Sequence, residues 1–236
     1  MSDPHANADA TAAVLADINR HGADERWCLG DIVGYGPDPS DTVELIRGGC
    51  DLVLAGNHDL ICAHPGQSVR WTGPLGRAIS WAQDTLNAEQ MSWLRSLRPI
   101  GERHGITAVH GSPRDPYWEF IGSRTTALAC MRDLPALTLF GHTHIPIAFL
   151  RRDRTRNQVR ARRRQTAKAL HLRDVAQALL NPGAVGRPQH DSDPRASWLL
   201  LDTQEMTATW HLVPYDTSGV HERLIACGIG SDWAAR

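Results

Sequence analysis

The chain has 236 residues, 42% of them hydrophobic, and a formal net charge of −1. This length can form one large α/β core, and we expect a single domain over residues 1–236. The composition excludes a disordered chain, and the near-zero charge argues against a general electrostatic role on nucleic acid or membranes. The sequence contains no run of about 18 apolar residues, so no membrane span is predicted. The five scattered cysteines lack a C-x-x-C pair, which favours reduced thiols and a cytoplasmic location.

Helical patterns alternate with short apolar strands up to residue 144. Asp9 precedes an apolar-rich run that ends near Arg20, which predicts an N-capped helix. A capping-box pattern at 41–44 predicts a second helix. The other helices are expected at 74–85, 87–97 and 123–132, and the strands at 26–29, 51–55, 106–109 and 137–140. After residue 144 the pattern predicts mainly strands, at 145–150, 176–180, 197–202 and 206–213, before a last helix at 218–226.

The segment 151–173 is strongly basic, with nine arginines and Lys168. It is interpreted either as a solvated hairpin or loop rim, or as a patch that attracts an anionic substrate or nucleic acid. We favour the solvated hairpin or loop rim because no aromatic residue interleaves the charges, as a single-strand binder would require.

Polar residues follow each of four predicted strands. They are Gly30-Asp31, Gly56-Asn57-His58-Asp59, His110-Gly111 and Gly141-His142-Thr143-His144, and Asp3-x-His5 near the N-terminus forms a fifth group. One histidine at a strand end is usually an ordinary polar residue, but five such groups together favour a site. In a largely parallel sheet these ends meet at one edge.

The combined donor set contains carboxylates, an amide and imidazoles but no thiolate. Such a set suits Mn²⁺, Fe or Zn²⁺ better than Ca²⁺ or a structural zinc ion. Leaving His58 and Asp59 aside, the number of donors exceeds the needs of one transition metal. It suits two ions about 3.5–4 Å apart that share a carboxylate.

These five motifs, in this order, resemble those of the calcineurin-like metallophosphoesterase superfamily. The surrounding residues 30–37, 110–115 and 181–188 resemble a bacterial and archaeal subgroup of small phosphoesterases. The resemblance implies an α/β fold, a four-layer α/β/β/α sandwich of two mixed sheets. It also implies hydrolysis of a phosphate ester with two divalent ions, Mn²⁺ first, with Fe, Zn²⁺ or Ni²⁺ as alternatives.

The resemblance also implies a role for each motif residue. Asp3, His5 and His144 would hold one metal, Asn57, His110 and His142 the other, Asp31 would bridge them, His58 would be the general acid, and Asp59 would orient the His58 ring. A hydroxide generated between the metals would attack phosphorus, and His58 would protonate the leaving oxygen. Arg187 or Arg114 is a candidate for contacting a substrate phosphate.

The N-terminus departs from the family pattern. A hydrophobic strand, central in the sheet, normally precedes the first motif, whereas here only Met1 and Ser2 do, so this strand is expected to be missing. Pro4 also stands between the two ligands and removes a backbone donor. Either the natural chain starts earlier, which we favour, or the chain is shortened and Asp3 and His5 form a frayed, weak metal site.

Three functions remain open at this stage. We favour an enzyme acting on an unidentified phosphoester, with no membrane partner and no preferred oligomeric state. A non-catalytic scaffold of the same fold is disfavoured because His58 and Asp59 are retained. A nuclease is supported only by the segment 151–173. The pocket wall that selects the substrate is expected at 61–76 and 114–124.

Overall fold

The computed structural model describes residues 1–66, 71–163, 168–188 and 193–230. Its helices are α1 (Ala8–Arg20), α2 (Pro39–Gly49), α3 (Asn57–Ala63), α4 (Gly73–Thr85), α5 (Ala88–Ser96), α6 (Arg124–Cys130) and α7 (Thr217–Ala226). Its strands are β1 (Trp27–Cys28), β2 (Leu52–Val53), β3 (Ile100–Arg103), β4 (Ile106–Val109), β5 (Leu137–Phe140), β6 (Ile147–Arg151), β7 (Arg160–Arg163), β8 (Leu170–His171), β9 (Gln177–Asn181), β10 (Ala196–Asp202) and β11 (Thr207–Val213). In the part of the chain described, no helix is long and apolar enough to cross a membrane.

One mixed sheet has six strands in the order β3-β4-β5-β9-β6-β7. Strands β4, β5 and β9 are parallel, and the outer pairs are antiparallel. Val109 lies opposite Phe140 in this register. The polar residues that follow β4 and β5 therefore leave the sheet side by side, and Gly141 donates to the carbonyl of His110 at 2.9 Å.

The other strands form a parallel pair, β1-β2, and an antiparallel group, β10-β11-β8. Backbone hydrogen bonds connect residues 1–3 to β1 on one side and to residues 184–186 on the other, and Ser197 of β10 donates to the Ala184 carbonyl. Leu29 donates to the Met1 carbonyl and Asp3 to the Gly30 carbonyl, while Val185 donates to the Ser2 carbonyl. Residues 1–3 form no regular strand, but their backbone hydrogen bonds place them between β1 and residues 184–186, in the place of the central strand expected to be missing.

Apolar contacts arrange these elements in four layers. Helices α1 to α5 pack on β1 and β10 through residues such as Val14, Ile46 and Trp198. The two β layers face each other through a cluster that includes Leu180 and Trp210. Helix α6 covers the other face of the six-stranded sheet through a separate buried cluster. This confirms the predicted four-layer α/β fold.

Several predicted boundaries differ from the structure. The side chain that caps α1 is Asn7 rather than Asp9, since Asn7 Oδ1 accepts from the backbone of Ala10 at 3.1 Å. Helix α2 starts at Pro39, before the predicted capping box, because proline suits the first helical position. Strand β3 was not predicted, because most of its residues are exposed and lack an apolar alternation. The capping box of Asn87 and Gln90 at α5 is confirmed.

Candidate metal centre

Seven of the predicted site residues converge into two overlapping groups. Asp3, His5, Asp31 and His144 form one group, and Asp31, His110 and His142 form the other, with the donor atoms of each group within 4.8 Å of one another. Asp31 is common to both. Asn57 belongs with the second group, because its Oδ1 lies 3.2 Å from His110 Nε2. The residues come from loops that follow β1, β2, β4 and β5 and from the N-terminal segment.

The N-terminal pair is firmly held. Asp3 and His5 are both fully buried. His5 donates its backbone N–H to the carbonyl of Asp31, and Gly186 donates to the carbonyl of Asp3. The alternative of a frayed pair is therefore wrong for this structure, because backbone contacts on both sides fix the segment.

Three histidines share one orientation, with Nδ1 facing the backbone and Nε2 facing the cluster. Nδ1 of His5, His110 and His144 faces the backbone carbonyls of Val33, Leu29 and Arg187 at 3.3, 2.8 and 2.9 Å. A carbonyl only accepts, so each Nδ1 carries a proton, and Nε2 is the ring nitrogen that faces the cluster. Histidines that bind a metal through one ring nitrogen commonly donate the other N–H to a backbone carbonyl.

The carboxylates provide the complementary observation. Both oxygens of Asp3 are buried without a hydrogen-bond partner among the described residues. His144 Nε2 lies 3.4 Å from Asp3 Oδ1, and His110 Nε2 lies 3.4 Å from Asp31 Oδ2. Buried anionic oxygens without a hydrogen-bond partner need a compensating positive charge, which imidazole protons or a metal ion can supply. The donor set therefore fits divalent metal ions.

The electrostatics follow from the same contacts. Burial opposes charge on Asp31, but the surrounding histidines, His110 first, outweigh it and hold the Asp31 pKa well below its usual range. Burial likewise opposes protonation of His110, yet Asp31 and Asp3 raise its pKa to about 9. Burial, together with repulsion from His110, lowers the pKa of His142 to about 4.

Five of the seven convergent side chains lie on left-handed backbone. The residues and their φ angles are Asp3 (56°), His5 (48°), Asp31 (55°), His142 (63°) and His144 (59°). Such angles are uncommon for residues other than glycine and cluster at functional sites. The backbone strain is thus concentrated where these side chains are aimed at a common point.

His58 lies at the start of α3, directly beside Asp31. Its backbone donates to Asp31 Oδ1 at 2.9 Å, and its Nε2 lies 3.9 Å from Asp31 Oδ2. Its Nδ1 is buried with no partner among the described residues. Gly34 is needed here, because a Cβ at that position would collide with the His58 ring.

The hydrogen bonds of Asp59 go to the backbone rather than to the His58 ring. Its Oδ1 accepts from the backbone of Ile32 and Val33 at 2.9 and 3.1 Å, and its Oδ2 accepts from Gly56 at 2.8 Å. The carboxylate therefore fastens the loop after β1 to the start of α3. Among the described residues no hydrogen bond joins it to the His58 ring, since His58 Nδ1 has no partner and His58 Nε2 lies beside Asp31.

The two candidate arginines differ in their partners. Arg114 is paired with Glu119 through both its Nε and its terminal nitrogen. Arg187 lies over the ring of Tyr35, 4.4 Å from the centroid, and its Nε has no partner in the part of the chain described. Tyr35 in turn packs against His5 and His58, with centroid distances of 4.8 and 4.7 Å. Only Arg187 is thus placed near the cluster with an unused donor.

Sequence reasoning missed several supporting residues. Phe120 stacks on His142 with ring centroids 4.0 Å apart. Asn181 donates to the Gly141 carbonyl and to Thr143 Oγ1, which fixes the loop that carries His142 and His144. The N-P-G sequence at 181–183 was a signal for Asn181. Phe120 lies within the pocket wall expected at 114–124, but no local pattern singles it out, since its contact with His142 depends on tertiary packing.

Comparisons with known proteins agree with this geometry. A family model described as a calcineurin-like phosphoesterase superfamily domain matches residues 1–206. An uncharacterized protein from Methanocaldococcus jannaschii is 30% identical over 231 residues, which cover 95% of this chain and 90% of that protein. The crystal structure of a metallophosphoesterase from Sphaerobacter thermophilus matches with a TM-score of 0.87 at 35% identity, covering 100% of this chain and 96% of that one.

A symmetrical bis(5'-nucleosyl)-tetraphosphatase from Citrobacter koseri is 26% identical over 142 residues, which cover 58% of this chain and 49% of that enzyme. The chain belongs to the calcineurin-like phosphoesterase superfamily. It is a metallophosphoesterase, a hydrolase of phosphoric esters.

Proposed function

We propose that the chain hydrolyses a phosphate ester with two divalent metal ions, Mn²⁺ being the first choice. Asp3, His5 and His144 would hold one ion, Asn57, His110 and His142 would hold the other, and Asp31 would serve both donor groups. The observation that carries this proposal is the Asp31 carboxylate, which belongs to both donor groups. Bound ions would neutralise phosphate charge and lower the pKa of a water molecule that they share.

The chain's own residues supply the rest of the chemistry. His58 borders the cluster beside Asp31, so it can deliver a proton to the leaving oxygen of a bound ester, and burial lowers the pKa of its ring. Tyr35 packs on its ring and limits its movement. Arg187 provides a cation beside Tyr35 that can pair with a substrate phosphate.

The test is a phosphoester panel assayed with Mn²⁺, comparing wild type with His58→Ala. We expect a loss of about 10²–10⁴-fold on alkyl esters, and a smaller loss on p-nitrophenyl esters, because a good leaving group needs no proton. His221→Ala is the matched control, since His221 is an exposed histidine of α7, outside the expected pocket wall. Full activity of His58→Ala on an alkyl ester would refute the assignment.

Among phosphoesters, the surroundings favour substrates that carry a nucleobase. Phe120 and Trp118 are 57% and 43% exposed, and Phe120 lies against His142. Exposed aromatic rings bind bases by stacking, worth about 1–3 kcal/mol per base. The tetraphosphatase relative acts, by its name, on bis-nucleosyl tetraphosphates. Part of the expected pocket wall, residues 67–70, lies outside the described residues.

This substrate class is tested with a dinucleoside tetraphosphate and with p-nitrophenyl phosphate. Trp118→Ala is expected to raise KM for the first by about 10-fold and leave KM for the second unchanged, because only the first carries a base. Equal changes for both substrates would count against base stacking by Trp118.

The nuclease hypothesis gains little support. Arg151 is buried, and its guanidinium is bonded to Gln177 Oε1 and to the carbonyls of Arg154 and Arg156. Strand β7 does present exposed arginines at 160–163, while Arg164 lies outside the described residues. A salt-dependent shift on DNA or RNA would favour the nuclease hypothesis.

A further inference from the structure

A second cluster of metal-ligating side chains lies apart from the proposed dinuclear centre. Asp17 and His21 come from the C-terminal end of α1, and His211 comes from β11. One donor atom of each lies within 4.8 Å of the other two. We propose that these three residues bind one divalent transition-metal ion, with Zn²⁺ as the type that fits best.

The helix provides two of the ligands in a suitable arrangement. Asp17 and His21 are four residues apart, so their side chains share one face of the helix. His21 Nδ1 lies 2.9 Å from the Asp17 backbone carbonyl and donates to it, so Nε2 is the nitrogen of His21 that is left for a metal ion. A cation at this point is also favoured by the negative end of the helix dipole.

His211 supplies the observation that points to a ligand. Its Nε2 is buried and has no hydrogen-bond partner in the described parts of the chain. Its ring is held in place by stacking on Trp198 at 4.4 Å and by an edge contact with His21 at 4.3 Å. Burial and the neighbouring His21 lower the pKa of His211, so the ring is neutral at neutral pH and keeps the lone pair that a metal needs.

Asp17 has two other partners that the proposal must accommodate. Trp198 Nε1 donates to Oδ2 at 2.8 Å, and Arg20 donates to Oδ1 at 2.7 Å. Each carboxylate oxygen has two lone pairs, so one bond to each leaves room for coordination. The Trp198 bond orients the carboxylate as hydrogen bonds behind metal ligands do. The Arg20 side chain is 66% exposed and can move away when a cation binds.

The chemistry of the set selects the ion. Two imidazoles and one carboxylate form a three-ligand set typical of Zn²⁺, with water in the fourth position. The His21 side chain is 36% exposed and also lines a cleft of about 700 Å³, so an ion has a path from solvent. A bound ion would clip the end of α1 to β11, which joins the helical layer to the sheet beneath it.

The test measures Zn²⁺ bound per chain after metal removal, by equilibrium dialysis of the full chain. We expect His21→Ala and His211→Phe each to bind one ion fewer than wild type, while His104→Ala, an exposed histidine bonded to Glu25, binds as many. Phenylalanine preserves the ring stack on Trp198, and circular dichroism checks that the variants fold.

A second readout separates this site from the dinuclear centre. Zn²⁺ is expected to raise the unfolding temperature of Asp31→Asn further than that of the double variant Asp31→Asn, His21→Ala, because only the former keeps the Asp17 cluster intact. Unchanged Zn²⁺ stoichiometry in both single histidine variants would overturn the proposal, whatever the state of the dinuclear centre.

Discussion

The Nε2 atoms of His5 and His144 lie 2.9 Å apart, although the residues are 139 positions apart in the chain. Both rings use Nδ1 to face backbone carbonyls, so the two Nε2 atoms bring lone pairs together. Two acceptors at this distance repel each other unless a positive charge lies nearby. The pair is therefore best understood as two ligands of one cation.

This relationship leads to a prediction about metal stoichiometry. Because Asp31 belongs to both donor groups, Asp31→Asn should weaken both ions of the dinuclear centre, whereas His144→Ala should weaken one. Mn²⁺ titration by calorimetry would distinguish them. If both variants lost a single ion, the assignment of Asp31 as the shared ligand would be wrong.

Substitution of Asp59 should reduce the stability of the fold more than it impairs proton transfer by His58. Asp59→Asn places an amide against three backbone N–H groups, and we expect a loss of about 1–3 kcal/mol in the free energy of unfolding. Urea denaturation measures this directly. The folded variant should retain more activity on alkyl esters than His58→Ala does. Unchanged stability with an equal loss of activity would restore the ring-orienting role.

Arg187 and Arg114 form a matched pair for testing phosphate contact. Arg187→Ala should raise KM by about 10-fold or more, because a hydrogen bond to a charged group contributes about 1.5–3 kcal/mol. Arg114→Ala should leave KM nearly unchanged, since Glu119 already pairs with it. Steady-state kinetics on one phosphoester checks both. Equal increases in KM would show that the ion pair with Glu119 does not prevent Arg114 from contacting the phosphate.

Two cysteines should be slow to react in the folded protein. Burial raises the pKa of Cys50 to about 11 and that of Cys62 to about 12, and the thiolate is the reactive form. At pH 8 a maleimide should label these thiols quickly only after unfolding in urea. Peptide mapping after timed labelling identifies the sites. Rapid labelling of Cys62 in the native protein would contradict its burial.

The predictable features were those encoded locally. The Asn87–Gln90 capping box, strands β4 and β5, and the polar groups behind them could be recognised because short segments determine them. Strand β3 was not predicted because its residues are mostly exposed and show no alternation of apolar and polar side chains. The position of residues 1–3 was not predicted either, since it depends on backbone bonds to β1 and to residues 184–186.

The sequence by itself determined which chemistry is available, because motif identity and order name the carboxylates, the amide and the imidazoles. Only the tertiary structure decided how they are used. It assigned Asp59 to three backbone donors, left Arg187 with an unused donor, and placed His211 against α1. The physical reason is that the role of a buried side chain depends on the groups packed around it, and those groups come from distant parts of the chain.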